Sequence, residues 1–494
     1  MSGIKKLAKQ TLTYGVSNIL SRSVNLLLTP LYTYFLADAS EYGEVSVFFV
    51  FTAFLFVFFT LGMETAFFNF AKKQENSRAS FSNAFYALLA FSLFWFPVGF
   101  YFSTDLAHMA EFPERSLVVK MLVLILFFDA MAALPFALLR QQNKAINYVK
   151  IKIASTVFNV IMNLVLIAGL FFLHKVVPLP FNPQDYFIEF IFLSNVLSSL
   201  FALLVLVPYF KPFLGPWDPA QMFKMLRYSL PLVLVGFAGM INETLDRVLL
   251  KYLLAEDIAN SEVGIYNAFY KISLVVTLFI QSFRYAAEPF FFGKSEDQDA
   301  KLVYAKVMDY FVWICGFIVM LTIVFSPLLS KLIIRKEVYF EGGRGMSVVP
   351  ILLLANLFLG VYYNLSIWYK ITQKTMVGGW VSLFGALLTI GFNLLWIPTL
   401  GFVGSAWATL VAYFAMTILS FILGSIYYPV PYSKWKLFFN FSFLTLVTCW
   451  IHFMPPPMVW VVLTAFLYLI FFAIIERPDK NPKFARFFLR NDKN

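Results

Sequence analysis

Apolar residues run along this chain in long unbroken blocks. They show neither the alternation of a half-buried strand nor the one-sided stripe of a soluble helix. Val45–Met63, Leu122–Leu139 and Val459–Ile475 approach or reach the roughly 20 residues that cross a bilayer as helix. Polar and charged residues gather in short segments between the blocks. In lipid every backbone group must be satisfied internally, which blocks of this length achieve as helices. The pattern predicts fourteen spans, near 11–36, 45–69, 81–103, 116–139, 153–173, 186–209, 229–252, 264–290, 305–329, 347–369, 377–397, 402–425, 436–453 and 457–475. The expected fold class is all-α and integral to the membrane. Thr11–Leu36 is too long and too polar for a signal segment and reads as the first span.

Composition strengthens this picture. Of 494 residues, 60% are hydrophobic and 13% charged, about half the charged share of a soluble domain. The net charge of +11 does not point to nucleic acid, because no segment offers a basic surface with stacking aromatics. It is topogenic. With the N-terminus inside, one set of loops and termini carries 26 lysines and arginines and the other set 8. That bias places both termini in the cytoplasm. Cys315 and Cys449 lie in apolar stretches, and His108, His174 and His452 are scattered, so no metal-ligand cluster is visible. No loop exceeds about 20 residues, and no phosphate-binding glycine loop, nucleophile–base set or paired carboxylates stand in the loops. An enzyme reading has no support.

The chain repeats internally. Arg140 and Lys144 follow the fourth span and Asn163-Leu164 lies in the fifth; Lys370, Lys374 and Asn393-Leu394 match them at an offset of 230 residues. Glu41-Tyr42-Gly43 resembles Glu262-Val263-Gly264. Six spans separate the members of each pair, so the repeats run parallel. The expected organisation is an N-lobe (1–210), a cytoplasmic linker (211–228), a C-lobe (229–425), two further spans (426–475) and a basic tail (476–494). Asp218 before Pro219 is a helix-start signature. It predicts a short linker helix over Pro219–Tyr228, with Met222, Phe223 and Leu226 on one face.

Charges inside spans cost roughly 2.5–3.5 kcal/mol each on insertion scales, so they turn toward interior or aqueous faces. Arg22 sits near mid-membrane, with Asn18 and Asn25 on the same helix face, which predicts a cavity-lining role. Asn242 and Asp246 repeat that spacing in span 7, and Glu243 lies one turn before Arg247, within reach of an ion pair. Lys271, Arg284 and Glu288 follow in span 8. Asp129 in span 4 and Glu64 in span 2 are candidate groups for coupling to H+ or Na+. A fixed cation facing an aqueous cavity suits an anion, and arginine suits phosphate oxygens.

Several segments resemble the polysaccharide-biosynthesis flippases of the multidrug/oligosaccharidyl-lipid/polysaccharide exporter superfamily. They are Leu230-Pro231, Asp246-Arg247 with Leu249-Leu250, Val263-Gly264-Ile265-Tyr266-Asn267 through Lys271-Ile272 to Pro289, Asn393-Leu394 through Pro398, and Gly401-Phe402-Val403-Gly404-Ser405-Ala406. The resemblance implies two six-helix lobes around a central cavity plus two extra helices. It implies translocation of an undecaprenyl-diphosphate-linked oligosaccharide across a bacterial inner membrane by alternating access. The partners would be membrane lipids and the polymerase and glycosyltransferases of the same pathway. It also implies that cavity cations meet the diphosphate, here Arg22, Arg247, Lys271 and Arg284. The drug-export branch generally has a less cationic cavity. The murein-precursor branch typically carries more arginines in spans 1 and 2, and span 2 here has none. A cation-coupled multidrug exporter is the alternative of the same fold, and a glycan polymerase or ligase would need a large external loop. Arg22→Ala is expected to stop surface-glycan display while the protein stays in the membrane; normal display in that variant would refute the cavity role.

Overall fold

The computed structural model describes residue 24 and residues 26–71, 77–295, 297–454 and 456–475. Arg22, Asn18 and Asn25, the candidates in the first span, lie outside the described residues. Among those described, the chain is helical with no strand. Twelve helices are long and apolar enough to cross a membrane. They are α2 (Ala39–Phe70), α3 (Ser77–Tyr101), α4 (Pro113–Gln141), α5 (Ala145–Val176), α6 (Pro183–Phe213) and α7 (Pro219–Leu253), then α8 (Glu256–Lys294), α9 (Ala300–Ile333), α10 (Arg344–Ile371), α11 (Thr375–Leu400), α12 (Phe402–Tyr427) and α13 (Lys434–Phe453). Two shorter apolar helices, α1 (Leu26–Phe35) and α14 (Met458–Ile470), stand where the first and last predicted spans were expected.

One expected element is absent as a separate piece. The linker helix is fused to span 7 as the 35-residue α7. Asp218 does cap it, accepting from the N–H groups of Ala220 and Gln221 at 3.0 and 3.2 Å. The helix then runs through Pro231 without ending, because lipid strongly favours continuous helix and the bundle re-satisfies the freed backbone group. Met222 and Leu226 pack on the core of the first half, while Phe223 faces outward.

The two halves repeat one another in packing. In the first, α4 packs on α6, α5 on α6 and α3 on α4; in the second, α10 packs on α12, α11 on α12 and α9 on α10. The turns between α4 and α5 and between α10 and α11 are equivalent. Asn143 and Gln373, 230 residues apart, both adopt φ 58°. The N–H of Asn143 donates to Arg140 O (3.0 Å) and that of Gln373 to Lys370 O (3.2 Å). A left-handed residue ends each helix and turns the chain into the next.

Ion pairs repeat as well. At the end carrying the basic loops, Arg140 of α4 pairs with Glu64 of α2, and Lys370 of α10 with Glu288 of α8. At the far end, Arg115 binds Glu44 at 3.0 Å and Arg344 binds Glu262 at 2.9 Å. Each half thus clamps its second helix to its fourth by one acid–base pair at either end.

The halves meet where α2 crosses α8 near the far end. Gly43 and Gly264 face each other there: a Cβ on Gly43 would stand 1.9 Å from Asn260 O, and one on Gly264 1.8 Å from Ala39 O. Only the missing side chains permit such an approach. Further bonds close this end. Thr33 Oγ1 donates to Ile333 O (3.1 Å), Lys336 Nζ to Ala37 O (3.0 Å) and Tyr339 Oη to Asp38 O (3.2 Å). Burial pushes the Tyr339 hydroxyl far above its ordinary range, so it stays a neutral donor. Lys251, which the sequence places among the far-side loop charges, is buried and binds Glu111 at 3.1 Å, joining α7 to the first half.

Gly43→Ala is expected to destabilise the purified protein by about 1–3 kcal/mol through overpacking. Gly391→Ala adds a methyl with nothing within 4 Å and is expected to be neutral or stabilising, by up to about 1 kcal/mol. Thermal unfolding in detergent compares the two, and equal effects would refute the tight crossing.

Candidate functional site: a cationic cavity between the halves

Below the glycine crossing lies a cavity of about 390 Å³. Its walls are one face each of α2 and α8, with Tyr32 from α1 and Glu243, Thr244 and Arg247 from α7. On α2 the lining positions are 42, 45, 46, 49 and 50, and on α8 they are 267, 270, 271, 274, 277 and 278. Both sets follow the three-and-four spacing of a single helix face. Asn267 Nδ2 donates to Ser46 Oγ at 2.7 Å and joins the two walls.

Arg247 is buried and held by its own half. Nη1 donates to Asp246 Oδ1 at 2.9 Å and to the carbonyl oxygen of Glu243 at 3.0 Å. Asp246 also takes the Tyr266 hydroxyl at 2.8 Å. The guanidinium lies over the Tyr270 ring, 4.3 Å from its centroid, a favourable cation–π position. The expected Glu243–Arg247 ion pair is therefore replaced by Asp246–Arg247. The adjacent carboxylate reaches round the helix, and Tyr266 fixes its other oxygen.

Lys271 lines the same cavity from α8, and Arg247 acts on it as a like charge. The structure gives Lys271 no ion pair with any described acid. Among the described residues the cavity is thus lined by Arg247, paired with Asp246, by Lys271, which makes no ion pair, and by the carboxylate of Glu243. An uncompensated buried charge is costly, and an anionic ligand entering here would offset that cost.

The other candidates fall elsewhere. Asn242 points into the second half: its Nδ2 donates to Ser382 O at 2.8 Å, its Oδ1 accepts from Thr389 at 3.1 Å, and its carbonyl oxygen takes the Tyr413 hydroxyl at 2.9 Å. It locks α7 to α11 and α12 and does not line this cavity. Arg284 stands against Tyr363, 5.0 Å from the ring centroid, in a tight cleft between α8 and α10. Asp129 and Glu64 line a second cavity, of about 600 Å³, inside the first half. Glu64 is engaged there by Arg140. Lys152, counted among the loop charges in the sequence, faces Asp129 across that cavity. The stripe Lys152, Ser155, Asn159, Asn163 along α5 is the signal that could have found it. Ser46, Asn267 and Tyr270 are likewise uncharged or aromatic and carry no contrast in an apolar chain. Among the described residues no three His, Cys, Asp or Glu side chains gather to hold a metal ion.

The fold is that of membrane transporters. Lipid II flippase MurJ in an inward closed conformation is similar over 94% of this chain and 99% of its own, with TM-score 0.66 at 15% identity. A MATE transporter in complex with MaL6 is similar over 90% and 100%, with TM-score 0.64 at 14% identity. A transporter of the MOP superfamily from Pyrococcus furiosus is similar over 90% and 99%, with TM-score 0.61 at 15% identity. A search of curated proteins gave no match. The family profile described as "Polysaccharide biosynthesis protein" matches residues 7–293, more than half of the sequence, and the chain belongs to that family.

Asp246→Asn would leave Arg247 buried without its counter-charge and is expected to cost about 3–5 kcal/mol. Asp246→Glu keeps a carboxylate for Arg247 and is expected to cost only a part of that. Thermal unfolding of the two purified variants measures the difference, and the reverse order would refute the assignment of the pair.

Proposed function

We propose that the protein is a flippase that carries a lipid-diphosphate-linked oligosaccharide across the bacterial inner membrane for surface-polysaccharide assembly. The observation that carries this reading is the pair Arg247 and Lys271 in a cavity between the two halves, with Lys271 making no ion pair among the described residues. Membership of the polysaccharide biosynthesis family supports a glycan-linked cargo. A diphosphate supplies a counter-charge for Lys271, and the lipid tail never has to leave the bilayer. MurJ and the MATE transporters share this fold, which supports transport by alternating access. In that cycle the Gly43–Gly264 crossing and its neighbouring bonds form the closed outer gate, with both termini in the cytoplasm.

The matched charges within each half support movement as rigid units. The clamps Glu44–Arg115 and Glu64–Arg140, and their counterparts in the second half, keep α2 with α4 and α8 with α10. What must part during transport is the set of contacts between the halves: the hydrogen bonds at the far end and the Lys251–Glu111 ion pair.

Lys271→Gln preserves length and polarity but removes the charge. It is expected to lower translocation about tenfold to a hundredfold, the worth of one charged hydrogen bond. Lipid-linked oligosaccharide should then accumulate on the cytoplasmic leaflet while the protein level is unchanged. Normal surface glycan in that variant would refute the site. Drug sensitivity with intact glycan in a strain lacking the protein would instead favour the exporter alternative.

A further inference from the structure

We infer that the second cavity, inside the first half, is the subsite for the sugar residues that follow the diphosphate. This inference rests on the flippase reading and assigns its substrate in parts: phosphate to the cavity between the halves, glycan to the cavity within α2, α4, α5 and α6.

The argument is one of donors and acceptors. The cavity of about 600 Å³ falls within the roughly 300–1,000 Å³ of small-molecule sites. Its polar groups have largely committed their protons to the wall. Ser155 Oγ donates to Ile151 O and Ser198 Oγ to Ser155 O, both at 2.9 Å. Asn195 Nδ2 donates to Ile191 O at 2.8 Å. Asn159 Nδ2 donates to Ser194 O and Asn195 Oδ1 at 3.3 and 3.4 Å. What these side chains keep for a ligand is mostly lone pairs, with one N–H of Asn195 besides. Asp129 adds a carboxylate on the same wall.

A wall rich in acceptors repels a phosphate, which in its ionised form only accepts. It matches a ligand rich in hydroxyl donors. Two cations also line this wall: Arg140 is engaged by Glu64, and Lys152, 5.4 Å from the Phe136 ring centroid, can serve a sugar oxygen. The rings of Phe136 and Tyr148, edge to face at 5.2 Å, supply flat apolar faces for the C–H side of a pyranose. The cavity between the halves is lined by Arg247, Lys271 and Glu243, and among its described residues Lys271 makes no ion pair, whereas the neutral amides and hydroxyls of the second cavity are more numerous. Phe49 of α2 lines both cavities, so the two adjoin, and on this inference the sugar next to the diphosphate passes this side chain.

The test is equilibrium binding to the purified full chain in detergent. The probes are undecaprenyl diphosphate, bare or carrying one N-acetylglucosamine, glucose or galactose. At least one sugar-bearing probe is expected to bind wild type about tenfold tighter than the bare lipid. Asn195→Leu, and separately Ser198→Val, is expected to bring that preference to within about twofold while bare-lipid binding stays unchanged, which also shows the variants folded. Lys271→Gln is expected to weaken all probes alike. A sugar preference that survives both cavity variants, or no preference in wild type, overturns the subsite and leaves the flippase reading standing. Failure of wild type to bind any probe overturns both.

Discussion

The contact of Gly43 with Gly264 sets the geometry on which the rest of this molecule depends. Side chains of any size would hold α2 and α8 apart by the width of a methyl group or more. Without them the two helices meet backbone to backbone, and the halves close at that end. The same approach brings Ser46 within 2.7 Å of Asn267. It also sets the polar faces of α2 and α8 against each other below the crossing, so one pair of missing side chains makes both the seal and the cavity beneath it.

Charge is then distributed by consequence rather than by count. In a low-dielectric interior an ion is tolerated when its partner is fixed beside it. Asp246–Arg247 obeys that rule fully buried, buried Lys251 meets Glu111, and the four clamp pairs, partly exposed, do the same toward the helix ends. These interactions explain cohesion and leave nothing over for a cargo. Lys271 departs from the pattern, and it does so in a cavity. The cavity within the first half departs in another way, since its protons are committed inward and its lone pairs outward. Both cavities carry charges of either sign, and what sets the second apart is its row of neutral amides and hydroxyls, which suits the hydroxyl end of a ligand whose phosphate end meets Lys271.

The internal repeat was legible because it recurs in charges that the bilayer makes conspicuous. Arg140 and Lys370, and Lys144 and Lys374, keep one offset, and the structure gives Asn143 and Gln373 at those corners the same left-handed conformation. The partners of those charges were less legible. Glu64 and Glu288 could be seen as in-span acids, but nothing in their spacing says that each meets the base closing the fourth helix of its own half. Arg247 could be seen as a cavity cation, yet its choice of Asp246 over Glu243 depends on where Tyr266 stands.

What the sequence by itself determined is the solvent and the path: which blocks lie in lipid, how the chain threads back and forth, and that it does so in two similar halves. Those properties follow from local hydropathy and from charge order along the chain, both of which are one-dimensional. What only the tertiary structure decided is which polar groups meet. It fused the linker to α7, turned Asn242 into the second half, set Lys152 opposite Asp129 and left Lys271 without an ion pair among the described residues. The physical reason is that pairing energies act over a few ångströms, and residues hundreds of positions apart come that close only once the helices have packed.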